Sequence, residues 1–218
     1  MVWKRGLNWC PMSAGPNTPA AEPSLPEPLD SDAALTRLAR AGDRAAWGAL
    51  AARHYEPIFR WLWRVSGRHE VAEDLAQDAF LRAATRMELF HDGTHFRAWL
   101  FRIAHNLWAN HCRSSARRRA GGLEEAAEVP DAGLAAIDPV QQLGDREEID
   151  VLKERLQAVP REWREALLLR AEGELSFRDI AEVQGITEET ARWRVFKARK
   201  ELAAMASAAV TRDGEKIT

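Results

Sequence analysis

The chain runs to 218 residues, with apolar content enough for one large or two small packed cores and a formal net charge of −2. Its two cysteines, Cys10 and Cys112, are too few and too isolated for a disulfide framework or a four-ligand zinc site, which points to a reducing, cytoplasmic setting. No apolar run approaches the roughly 20 residues of a membrane span, and the first residues lack the apolar core of a signal peptide, so a soluble protein without membrane contact is expected.

Charge is strongly polarised along the chain. Gly121 to Asp150 hold nine Asp or Glu against the single cation Arg146, while arginine gathers before that stretch and towards the end. Local charge, rather than the total, therefore informs about partners.

Residues 1–30 carry six of the ten prolines and read as a disordered leader, because so little apolar surface cannot offset the entropy of ordering. A second reading starts the protein at Met12, which N-terminal mass spectrometry would decide. From Ser31 the pattern turns helical, with Ser31 and Asp32 as cap candidates and Leu35, Leu38 and Ala39 at helix spacing. Stripes follow at Trp47, Leu50 and Ala51; at Ile58, Leu62 and Val65 after Pro57; and at Val71, Leu75, Ala79 and Ala83. Gly42, Gly67 and Gly93 punctuate them. A fourth helix is predicted from about Phe96 through Leu100, Ile103 and Leu107 into the basic cluster Arg113, Arg117, Arg118 and Arg119.

Gly121 and Gly122 end that helix, and residues 121–145 read as a flexible acidic linker. A second unit, 146–206, opens with Ile149, Leu152, Leu156 and Val159, then a helix after Pro160 with Trp163, Ala166, Leu167 and Arg170 on one stripe. Residues 207–218 read as a disordered tail. The fold class is all-α: two small helical domains, 31–120 and 146–206, joined by that linker.

The segment LSFRDIAEVQGITEETARWRVFKARKEL has the form of a helix-turn-helix. Ser176 caps one helix and Asp179 completes a capping box; Gly185 marks the turn; Thr187 caps a second helix with Glu188 and Glu189 in its first turn. Five of the nine residues from Arg192 to Lys200 are cationic, yet Trp193 and Phe196 stand among them. On a helical wheel Ala191, Val195, Ala198 and Leu202 form the buried seam, which leaves Trp193, Lys197 and Lys200 facing outward and Phe196 near the border. Trp193 is thus expected to be exposed on a DNA-facing surface, the alternative being that it packs on a neighbouring helix.

The stretches AEDLAQDAFLRA, FRAWLFRIAHNLWANHCR, VPREWREALLLR and the helix-turn-helix, in that order and spacing, resemble the signature regions of extracytoplasmic-function sigma factors of the sigma-70 family. The resemblance implies a bacterial initiation factor that binds core RNA polymerase and promoter DNA, is restrained by an anti-sigma factor, and needs neither cofactor nor metal. It also implies roles by position. Asp74, Gln77 and Asp78 match clamp-contacting positions of the polymerase-binding region. His91, Asp92 and His95 lie in the loop that holds a flipped minus-ten base, and Arg97, Arg102, His105, Asn106 and Arg113 follow as base or phosphate contacts. Glu189, Thr190, Arg192, Trp193, Arg194, Lys197 and Lys200 fall on the minus-thirty-five recognition helix. His105 and Asn110 replace the family's common arginine and aspartate, and Trp193 stands where a small polar residue is usual.

Other readings are weaker on the residues alone. A metal site built from His91, His95, His105, His111 and Cys112 lacks a third ligand at convincing spacing. No nucleophile or general base is required, so the protein is not expected to be an enzyme. A stand-alone helix-turn-helix regulator would share the C-terminal half, but the first unit, a helical bundle ending in an arginine cluster, does not resemble a ligand-sensing domain. The acidic residues Glu124, Glu125 and Glu128 are placed to shield the basic surfaces.

Overall fold

The computed structural model describes residues 31–91, 95–120 and 154–215, with side chains through Ser207. The expected leader, the acidic linker and Asp92 lie outside them. Among the described residues every regular element is helical. Four helices build the first unit: α1 (Asp32–Arg40), α2 (Arg44–Ser66), α3 (His69–Thr85) and α4 (Phe96–Ala120), with a 3-10 turn at Met87–Leu89. Helical residues 154–158 then lead into α5 (Arg161–Ala171), α6 (Phe177–Gln184) and α7 (Glu188–Glu215). The last helix runs on through residues 207–215, part of the segment expected as a tail.

Local signals explain most boundaries. The Ser31 hydroxyl accepts from the Ala34 amide, and the Asp43 carboxylate accepts from Ala45 and Ala46, so α1 and α2 begin where short polar side chains satisfy orphan N–H groups. Gly67 ends α2 at φ 71°, a left-handed cap that disfavours any residue with a Cβ. Pro57 lies inside α2 and removes one ladder bond. The helix continues because Pro57 itself is buried, and Ile58, Trp61 and Leu62 just beyond it are wholly buried.

α2, α3 and α4 pack together around Leu50, Trp61, Leu62, Ala76, Ala79, Leu100 and Ala104. The second unit packs α5 and α6 on α7 through Ala166, Ile180, Ala191, Val195 and Ala198. The two units are not separate bodies: α2 lies on α5, α4 lies on α6, and one apolar cluster runs through both. Gly173 makes the close approach possible. A Cβ there would meet the Leu169 carbonyl at 2.6 Å and the Phe101 ring at 3.1 Å.

Packing on two sides changes α5. The buried residues are Arg164, Glu165, Ala166, Leu168 and Leu169, whereas Trp163 and Leu167 are half-buried and Arg170 is exposed. The single stripe read from Trp163, Ala166, Leu167 and Arg170 is one of two contact faces; the other meets the first unit.

Candidate nucleic-acid interface

The helix-turn-helix forms as its sequence dictates. Ser176 and Asp179 make the reciprocal capping box, Gly185 turns the chain at φ 66°, and the Thr187 hydroxyl accepts from the Thr190 amide at the head of α7. Ala191, Val195 and Ala198 are buried and Leu202 is half-buried, which fixes the outward face. Trp193 is 48% exposed and Phe196 62% exposed, so Phe196 projects further than its border position suggested.

The outward side chains are not equally free. The Trp193 indole stands edge-on to Trp163 of α5, with ring centroids 5.3 Å apart and planes at 85°, while the Lys197 ammonium lies 5.6 Å above its face. Both readings of Trp193 hold: it is exposed on the cationic face, and it leans on a neighbouring helix. Arg194 points back, its guanidinium donating to Glu162 at 2.7 Å and to Gln184 at 3.2 Å, with little exposure left. Arg192 pairs with Glu188 and lies 5.0 Å over Phe177. Glu189 and Lys200 are exposed, and Thr190 is half-buried against Thr187.

On the first unit, Asp74, Gln77 and Asp78 lie together on the exposed face of α3, opposite Ala72, Leu75 and Ala79 in the core. Beside them an apolar depression is lined by Trp47, Tyr55, Phe80 and Leu81. His91 is exposed, and so are Arg102, Asn106 and Arg113, the last donating to Asn110.

Three further minus-ten candidates, His95, Arg97 and His105, face the second unit. Arg97 pairs with Glu174 at 2.5 Å; His95 faces Asp179 at 3.5 Å; His105, mostly buried, lies 3.4 Å from Glu165. Trp108 is buried, and its indole N–H donates to Glu165 at 2.7 Å. Glu165 is the residue that sequence reasoning missed. Burial alone would raise its carboxyl, yet hydrogen bonds from His105 and Arg161 outweigh that and hold it below the ordinary value of 4.5. Its only sequence signal was a carboxylate at the start of the apolar run Ala166 to Leu169, which reads equally well as part of a solvated face.

Among the described residues no cluster of His, Cys, Asp and Glu could hold a metal ion, and no helix is long and apolar enough to cross a membrane. Against known proteins, residues 50–118 match the family model for sigma-70 region 2 and residues 149–202 that for sigma-70 region 4. The chain is 31% identical over 180 residues to the ECF RNA polymerase sigma factor SigE of Mycolicibacterium smegmatis, covering 81% of this chain and 68% of that protein. It is 30% identical over 175 residues to the ECF RNA polymerase sigma-E factor of Haemophilus influenzae, covering 78% and 92%. Among solved structures, CnrH in complex with the cytosolic domain of CnrY superposes with a TM-score of 0.60 at 25% identity, over 81% of this chain and 97% of that one. The sigma factor RpoE with the anti-sigma factor NepR from Bartonella quintana gives 0.60 at 26%, over 72% and 94%.

Proposed function

The chain belongs to the extracytoplasmic-function sigma factors of the sigma-70 family, and on that premise we propose that it binds core RNA polymerase and directs promoter-specific initiation of transcription. The observation that carries the reading is the pair of units in one chain: a helical bundle with an exposed acidic face on α3, and a capped helix-turn-helix with a cationic outward face on α7. A stand-alone regulator would account for the second alone.

In this reading Asp74, Gln77 and Asp78 meet a basic clamp surface, where charge complementarity speeds encounter and sets register. His91, Asp92, His95, Arg97, Arg102, His105, Asn106 and Arg113 serve the minus-ten element. Glu189, Thr190, Arg192, Trp193, Lys197 and Lys200 serve the minus-thirty-five element, with cations on phosphates and Trp193 against base edges or a thymine methyl. Arg194 holds α7 to α5 instead of reaching the groove, a role supported by its contacts with Glu162 and Gln184. Opening DNA uses binding energy, so no residue is assigned a catalytic step. The site of action is the cytoplasm, with polymerase and chromosome, and the partners are core polymerase, promoter DNA and an anti-sigma protein. The RpoE structure, solved with the anti-sigma factor NepR, supports the last.

Reconstituted transcription tests the reading. Core polymerase supplemented with this protein alone should initiate at defined genomic start sites; specific duplex binding without polymerase, and no initiation, would instead make it a regulator. Within that assay Asp78→Lys should lower retention on core polymerase about tenfold while the melting temperature stays put. Unchanged retention removes Asp78 from the docking face.

A further inference from the structure

The two histidines at the ends of the loop before α4 are each the chain neighbour of a buried ring. His91 follows Phe90 and His95 precedes Phe96; both histidines are exposed and both rings are buried. The rings stand 6.0 Å apart at their centroids, and each also meets Trp99, at 5.4 and 5.8 Å. The backbone adds to the anchoring, since the Phe90 amide donates to the Met87 carbonyl and the Trp99 amide to the His95 carbonyl. How this aromatic cluster packs therefore decides where the ends of the loop point.

A polar group is built into the back of the cluster. His54 of α2 is 3% exposed, and its ring lies 5.2 Å from Phe96 with the planes at 55°. Its Nε2 donates to Asp32 at 2.8 Å, and the second Asp32 oxygen accepts from Arg53 at 2.6 Å. Asp32 is the first residue of α1, the short helix that packs on α2 and also reaches α4 and the 3-10 turn Met87–Leu89. Holding α1 in place does not call for this arrangement. Leu35 already anchors it in the apolar core, and the buried Nδ1 of His54 has no partner among the described residues, which costs stability. An apolar ring at position 54 would fill the space without that cost. What the hydrogen bond adds is direction: it fixes one rotation of the His54 ring, and a close-packed interior passes that rotation on to Phe96.

We propose that Asp32 and His54 are positioning residues for capture of the minus-ten base, the hydrogen bond between them orienting Phe96 and with it the end of the loop that carries His95. This rests on the sigma-factor reading and on its assignment of that loop to the minus-ten element. Neither residue is assigned a contact with DNA; both act through Phe96. In this way α1, which supplies no candidate base reader, takes part in base selection.

The test uses the full chain bound to core polymerase and a pool of single-stranded DNA randomised over the minus-ten positions, with the captured molecules sequenced. The wild type should enrich one base strongly at one position. His54→Phe keeps a ring against Phe96 but removes the donor, and Asp32→Ala removes the acceptor; each should lower that enrichment about tenfold, the worth of one good base contact. The conservative changes His54→Gln, whose amide still donates, and Asp32→Asn, whose amide oxygen still accepts, should stay within about twofold of the wild type. All are read at a temperature where circular dichroism shows every variant folded, and selection from a duplex pool randomised at the minus-thirty-five positions should not change. Wild-type selection by Asp32→Ala overturns the proposal, and so does loss of selection in the folded conservative variants, because shape alone would then account for the site. Should His54→Phe melt too early to assay, the two Asp32 variants decide by the same criterion. A wild type that enriches no base with core polymerase refutes the sigma reading and this inference with it, whereas normal selection shared by every variant refutes this inference alone.

Discussion

Trp193 stands half exposed with one indole edge against Trp163 and a lysine over its face. The remainder of the ring is held out from α7, a large rigid surface with few rotamers to lose on contact with DNA. Removing it deletes little buried area, so Trp193→Ser should change which minus-thirty-five sequence the holoenzyme selects from a randomised promoter pool, with a melting shift of no more than a few degrees. Trp163→Leu should alter the same preference through the lost edge contact, although Trp163 lies outside the helix-turn-helix. An unaltered preference with a large drop in melting temperature would make both residues structural. The wheel isolated Trp193 because periodicity fixes the buried seam of one helix. It could not find Trp163 or the withdrawal of Arg194 to Glu162, since those pairings join positions 30 and 32 residues apart across a turn.

Among the elements, α5 departs furthest from its sequence pattern, and its buried charge has a measurable consequence. Glu165 and Asp32 both titrate below their ordinary values: at Asp32 burial pushes upward, but the Arg53 hydrogen bond and His54 outweigh it. A carboxylate depressed in the folded state contributes stability that is fully present above its unfolded value and is lost as pH falls through the folded one. His54 adds to the trend. Burial lowers its imidazole below 6.5 despite Asp32, so neutral His54 donates from Nε2 and must take up a proton to unfold in acid. Melting temperature should therefore hold near neutrality, begin to drop below about pH 6.5, and fall more steeply below about 4.5, near the unfolded glutamate value. Glu165→Gln should flatten the lower part of that profile; a variant profile parallel to the wild type would exclude Glu165 as a contributor. Helix caps at Ser31, Asp43 and Ser176 and the glycine turns were legible because capping is local chemistry. The burial of Arg164 and Glu165 was not, because a charged residue on a helix reads as solvated until a second packing partner is known.

For the whole molecule, the question is whether two units that share a core also unfold together. The sequence separates them by an acidic stretch and by two helical patterns, and the described residues of both patterns are helical. What it does not display is the seam between the two units, whose members Phe101, Trp108, Glu165 and Gly173 are scattered over some seventy positions and are each unremarkable alone. Because α2 and α4 contribute to both the first core and the seam, damage to the first unit should be felt in the second. Leu100 is fully buried in α4 on the first unit's side, and Leu100→Ala should cost about 3 kcal/mol through lost burial and the cavity left behind. If the chain is one cooperative body, amide hydrogen exchange in α6 and α7 should speed up in this variant by nearly the same factor as in α4 under conditions where global opening dominates. Exchange that accelerates in α4 while α6 and α7 keep their wild-type rates would mean that the second unit survives alone.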